Sequence, residues 1–328
     1  MRRQKDLDYL KAFAVILVVF YHAIYAAGLF WGNMFYICLD IALEHIHVPL
    51  FMLIAGYLCH KQNVKKFYIK KIKRILIPFV FMSVLKLLYN NLISSEFTHE
   101  GSISEQIFDA FICGGTYWFC YCLLVIFAIA PLFWDRRKLM WTVLAVLIAA
   151  NTVMRWTGTG FTDVLQIDQV LCQMPFFLIG MILSSCSAAQ LIKRKKNQYL
   201  LLFAGIAAGG ICGYFRFALD VHRIWIIDFV FGLSAMFLLY FIAARLRGNI
   251  ADKILSTISS FSLQIMFFDS FYRVVLYLLV YLILEKGFLA ALAVTVLDIT
   301  VSCGTCFILR RIPGVCSLVG LEYLSRTS

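Results

Sequence analysis

Lys11 and His22 stand eleven residues apart in the first apolar stretch of the chain, DLDYLKAFAVILVVFYHAIYAAGLF. In a helix, at about 100° per residue, that spacing puts both side chains on one face, about 16 Å apart along the axis. An imidazole titrates near neutrality, so it can take a proton from a hydroxyl and hand it on. An ammonium further along the same face can hold an anion through charge-assisted bonds. If the stretch crosses a bilayer, Lys11 sits at its edge and His22 near the middle of the hydrocarbon. An ionisable group at that depth is costly and by default marks a cavity or a reaction site. The alternative is a Lys that snorkels to the headgroups and a neutral His bonded within the bundle.

Other residues carry chemistry of the same kind. Asp269 and Arg273 are one helical turn apart in a late apolar stretch and can pair with each other. Together with His47, Tyr117, Trp118 and Asp298 they could line a chamber. Aromatic faces beside carboxylates suit a sugar, which stacks its C–H faces and hydrogen-bonds its hydroxyls. The alternatives are a structural intramembrane ion pair for Asp269 and Arg273, and an interfacial aromatic belt for Tyr117 and Trp118. Asp8, one turn before Lys11, orients that Lys or favours the helix N-terminus. The run KQNVKKFYIKKIKR, from Lys61 to Arg74, is dense enough in cations to hold a polyanion, or alternatively to lie against anionic lipid. The cysteines are scattered through apolar runs. Cys303-x-x-Cys306 has no His or second pair beside it, which argues against a metal site, while Cys38 and Cys113 could face outward and pair. There is no phosphate loop of the G-x-x-x-x-G-K-[ST] type and no internal repeat.

The elements that must position these side chains are membrane spans. Hydrophobic residues make up 62% of the 328 and charged ones 15%, with a mean hydropathy of +0.86. Long unbroken apolar runs exclude a soluble domain and a β-barrel, leaving an all-α polytopic membrane protein, read as a single domain over 1–328. Windows of about twenty residues give ten spans near 9–30, 43–60, 72–93, 116–134, 139–157, 165–186, 198–216, 223–244, 258–284 and 287–308. The first is long and lacks a convincing cleavage site, so it is read as retained. With both termini cytoplasmic, all but six of the 30 Lys and Arg residues fall on cytoplasmic segments. The six are Lys86, Arg155, Arg216, Arg223, Arg273 and Lys286. The largest outer loop, 94–115, holds Glu96, Glu100, Glu105 and Asp109 and no cation. The net charge of +12 is therefore explained by lipid headgroups, without nucleic acid.

Several segments, taken in order, resemble the membrane-bound acyltransferase-3 family. Lys11 and His22 match its pattern of a basic residue, ten residues, then His. HVPLFMLIAGYL (His47–Leu58) is similar to its second-span signature, in the branch of sugar O-acetylases. KKIKRILIPF places Lys71 and Arg74 on its cytoplasmic Arg-x-x-Arg element, and TYWFCYCLL and PFFLIGMIL are similar to two further segments. Two positions depart. Lys71 replaces an Arg, turning a bidentate phosphate grip into a single-point one. In ISSFSLQIMFFDSF, Asp269 stands where a His is usual, which bears on the acceptor and is expected to leave the His22 site untouched.

The resemblance implies an O-acyltransferase in a bacterial plasma membrane, with acetyl-CoA or a related acyl-CoA as co-substrate and no bound cofactor. It implies His22 with Lys11 at the catalytic site, and Lys11, Lys71 and Arg74 on the donor's phosphates. His47, Trp118, Asp269 and Arg273 would then face a carbohydrate acceptor. A transporter or flippase with buried charges as its path, and a sensor that kept the fold without the chemistry, are the competing readings.

Overall fold

The computed structural model describes residues 5–31, 33–92, 102–160, 164–185, 195–218, 224–246, 248–285 and 287–322. Its regular structure is helical, with no strand among the described residues. Among the described residues, ten helical segments are long and apolar enough to cross a membrane. They are Lys5–Ala26, Met34–Tyr57, Val64–Leu92, Ile103–Phe133, Arg137–Thr157, Val164–Ser185, Gln198–Ala218, Trp225–Arg245, Ser262–Tyr281 and Phe288–Leu309, called spans 1 to 10 here. The protein is thus a multi-pass all-α membrane protein with the expected number of spans. Of the charges on which the sidedness argument rests, Arg2, Arg3, Glu96, Glu100, Lys193, Arg194, Arg223, Arg247, Lys286 and Arg326 lie outside the described residues.

Spans 2 and 4 begin well before the expected 43 and 116, because each is broken in mid-course. Span 2 is a helix over Met34–Glu44, a step at His45 and Ile46, and a second helix over His47–Tyr57. Pro49 falls in the first turn of that second helix, where its missing N–H costs no bond. Span 4 starts with Ile103–Ile112, closed at its N-terminus by a capping box between Ser102 and Glu105. It is interrupted at Gly114 and Gly115, both at positive φ (78° and 46°), and resumes at Trp118. Part of the supposed loop 94–115 is therefore helix. In span 9 the opposite happens: Phe261 separates the helix Ser262–Tyr281 from an amphipathic helix, Asn249–Ser260, so the expected 258–284 is too long.

Span 1 occupies the centre. Between Lys11 and His22 it is apolar on every side, as a buried helix must be. It packs against the second half of span 2, spans 8, 9 and 10, and the helix Asn249–Ser260. Spans 2 and 6 form the tightest pair. Gly56 lies against the Phe177 carbonyl and Gly180 against the Leu53 carbonyl, so neither position has room for a Cβ. Membrane helices approach this closely only through small residues. HVPLFMLIAGYL and PFFLIGMIL are thus two faces of one contact.

A second polar tie lies away from span 1. Asp228 of span 8 is fully buried between Arg155 of span 5 (3.1 Å), Arg216 of span 7 (3.1 Å) and His45 at the step in span 2 (3.4 Å). It joins four spans through one carboxylate.

Candidate active site

His22 does not stand alone on span 1. Its Nδ1–H donates to Asp269 Oδ2 of span 9 at 2.6 Å. A carboxylate only accepts, so this bond fixes the tautomer and leaves Nε2 as the basic nitrogen. The Asp269 side chain is 2% exposed and the His22 side chain 35%, so the dyad is anchored on its carboxylate side and open on its imidazole side. The expectation that Asp269 leaves the His22 site untouched is therefore wrong. Contact across two spans is invisible in a linear sequence, and the residue at which the family resemblance fails is the partner of the candidate base.

Arg273 pairs with Asp269 as its one-turn spacing suggests, at 3.5 Å, to the same Oδ2 that His22 holds. Asp298 of span 10 is fully buried, and its Oδ1 accepts from Ser302 at 3.1 Å. His47 is buried at the step in span 2, bonded through Nδ1 to the Leu43 carbonyl and stacked on Tyr21, ring centroids 4.9 Å apart. Tyr21 in turn meets His22 edge-on at 5.9 Å, which puts His47 one ring away from the dyad. Trp118 is half-buried, with its ring edge-on to Phe119, and lines neither of the two cavities described next. Cys38 and Cys113 are both free thiols.

A cavity of about 540 Å³ opens beside the start of span 1. Lys11, Lys70, Lys71, Arg74 and Arg310 line it, against one described carboxylate, Glu322. The local sequence explains the crowding. Span 3 loses its α register to a π-helical turn over Ile72–Leu76, directly after Lys71, and such turns recur at functional sites. Lys71 holds its ammonium 3.3 Å from the centroid of the Phe127 ring, a cation–π contact, while still facing the cavity. Arg74 is bonded to Glu322 at 2.6 Å, and Arg310 Nε donates to the Glu322 carbonyl at 3.2 Å. Phe51, Phe119 and Met266 contribute apolar lining to the same cavity.

A second, smaller cavity lies toward the other end of span 3, between it and the first half of span 4. Lys86 and Tyr117 line it and also reach span 9: Lys86 Nζ donates to the Ser270 carbonyl at 2.7 Å, and the Tyr117 hydroxyl bonds the Ser270 hydroxyl at 2.8 Å. Met266 belongs to the first cavity, Ser270 backs the second, and Asp269 lies between them on one helix. The sequence gives Lys86 and Ser270 no place at the site. Lys86 carried a usable signal, since it is a lone cation in an apolar span.

Comparison with known proteins identifies the family. The model of the family described as "Acyltransferase domain" matches residues 4–309. A relative, "Nodulation protein NolL" of Sinorhizobium fredii (strain NBRC 101917 / NGR234), is 22% identical over 228 residues, covering 64% of this chain and 57% of its own length. The chain thus spans little more than half of that relative. No solved structure matches. With its ten spans and a match over nearly its whole length, the chain belongs to the family of membrane proteins carrying this acyltransferase domain.

Proposed function

We propose that the protein is an integral-membrane O-acyltransferase. It moves an acetyl or short acyl group from acyl-CoA to a hydroxyl of a carbohydrate, either cell-surface or lipid-linked, across a bacterial plasma membrane. The observation that carries this reading is the His22–Asp269 dyad, whose Asp269 sits on a helix that lends Met266 to a strongly basic cavity and bonds two residues of a second, polar one through Ser270. In this reading the basic cavity faces the cytoplasm, where both termini lie. The phosphates of the donor bind Arg74, with Lys11, Lys70, Lys71 and Arg310 around them. The narrow pantetheine arm then follows span 1, whose rise between Lys11 and His22, about 16 Å, is comparable to its reach.

The dyad supplies the proton transfers. His22 Nε2 takes the proton from the acceptor hydroxyl as that oxygen attacks the thioester carbonyl. The tetrahedral intermediate collapses with cleavage of the carbon–sulfur bond, and the imidazolium returns its proton to the departing thiolate. Asp269 keeps Nδ1 protonated and balances the transient positive charge. No resident cofactor or metal is required by these steps.

Purified protein in detergent tests the reading with acetyl-CoA binding and thiol release. Wild type binds acetyl-CoA and slowly releases the thiol. Arg74→Ala weakens binding, and His22→Ala keeps binding and loses turnover. If the wild type binds no acyl-CoA, the transferase reading falls and transport or sensing replaces it. Transport in particular would survive His22→Ala.

A further inference from the structure

Resting on that transferase reading, we propose that the second cavity is the acceptor's subsite. It takes one neutral or amino-bearing sugar residue and discriminates against acidic sugars. The cavity measures about 230 Å³. That is below the ~300–1,000 Å³ of pockets for drug-sized ligands and suits a single ring.

Its lining can bond hydroxyls of both polarities. Ser83, 3% exposed, faces the cavity, and among the described residues its hydroxyl has no hydrogen-bond partner. Lys86 gives one of its three donors to the Ser270 carbonyl. Glu105 accepts the Ser102 N–H through Oε2 at 2.7 Å, and no described group bonds the Asp109 carboxylate. A buried hydroxyl without a partner costs free energy unless a ligand or water satisfies it, so Ser83 points to an occupant that hydrogen-bonds.

The charges set the kind of sugar. Glu105 and Asp109 stand against Lys86 as the only described cation of the lining. An incoming carboxylate or phosphate meets two like charges at the rim, whereas a hydroxyl donates to them and an ammonium is attracted. The cavity also stands beside the helix of the reaction centre, because its Lys86 and Tyr117 both bond Ser270, the residue after Asp269.

The test measures transfer of labelled acetyl from acetyl-CoA to methyl glucoside, methyl glucosaminide and methyl glucuronide, with thiol release followed in parallel. For wild type, the KM of the glucuronide is expected to exceed that of the other two on the order of fivefold. Asp109→Lys is expected to reverse the order. Glu105→Gln, a milder change should the first variant fail to fold, is expected to shrink the preference. The proposal is overturned if wild type takes the glucuronide as well as the glucoside, or if folded Asp109→Lys and Glu105→Gln proteins leave the order unchanged. It is equally overturned if no glycoside is acetylated while thiol release proceeds, an outcome that leaves the transferase reading standing. Absence of both acetyl-CoA binding and thiol release removes that reading itself, and this inference with it.

Discussion

Replacing Asp269 by Asn isolates the contribution of the dyad. The carboxylate is buried, 2.6 Å from His22 Nδ1 and 3.5 Å from Arg273. Two opposite unit charges about 4 Å apart attract by about 4 kcal/mol at an effective dielectric of 20. That attraction exists only while His22 carries the acceptor's proton, so its loss falls on the transition state and lowers kcat rather than raising KM. Arg273 already neutralises part of the carboxylate, so the expected loss is about 3 kcal/mol, a fall of roughly two orders of magnitude in kcat. Asn brings a second fault, because its amide can donate to Nδ1 and stabilise the tautomer with the proton on Nε2, where no base remains. The assay is acetyl transfer at saturating acetyl-CoA, with acetyl-CoA affinity measured separately. Asp269→His, which installs the residue that the family resemblance suggests at this position, is expected to fail as badly, since it adds a ring that carries no negative charge. If either variant keeps kcat within threefold of wild type while remaining folded, the dyad is not the catalytic unit.

Three further outcomes follow from other contacts. Arg74→Ala should raise the KM for acetyl-CoA by about ten- to a hundredfold with little change in kcat, since a hydrogen bond to a charged group is worth ~1.5–3 kcal/mol; a rise of less than threefold would place the phosphates elsewhere. Glu322→Gln should lower the same KM by up to about fivefold, because the carboxylate now on Arg74 must leave before a phosphate binds, and exposed pairs are worth ~0–1 kcal/mol. The effect should fade at high salt, and a raised KM would show that Glu322 orders the site instead. Asp228→Asn should lower thermal stability in detergent, with a loss of about 3–5 kcal/mol and an unchanged KM for acetyl-CoA, because it removes the carboxylate that joins four spans; an unaltered melting temperature would refute that role.

The parts of the fold legible in the sequence are those set by local composition. Apolar runs and cation placement were sufficient for ten spans, because every backbone group in a bilayer must be satisfied within its own helix. The register of Lys11 and His22 followed from helix geometry, and the pairing of Asp269 with Arg273 from one turn of it. The expected starts of spans 2 and 4 fall late because each span is interrupted, at His45–Ile46 and at Gly114–Gly115, and only the stretch after the break reads as one apolar window. Inside a span such steps are breaks, with the helix continuing on the far side. The Asp228 tie and the His22–Asp269 bond were illegible for another reason. Each joins residues far apart in the chain, and a single sequence holds no record of which helices touch.

Asp269 is better understood through its neighbours than through the His that the family resemblance suggests in its place. His22 and Arg273 contact it, and Lys86, bonded to the next residue's carbonyl, lies within its electrostatic reach. A His at 269 would add a fourth basic group to a region of low dielectric. An Asp gives the three existing ones a common counter-charge. The departure at 269 and the lone Lys86 in span 3 are then two sides of one electrostatic arrangement. Removing Lys86 in an Asp269→His background should consequently cost less stability than removing it from wild type, and the double-mutant cycle should show a coupling of about 1 kcal/mol or more. Strict additivity would separate the two residues, and Lys86 would then belong to the acceptor cavity alone.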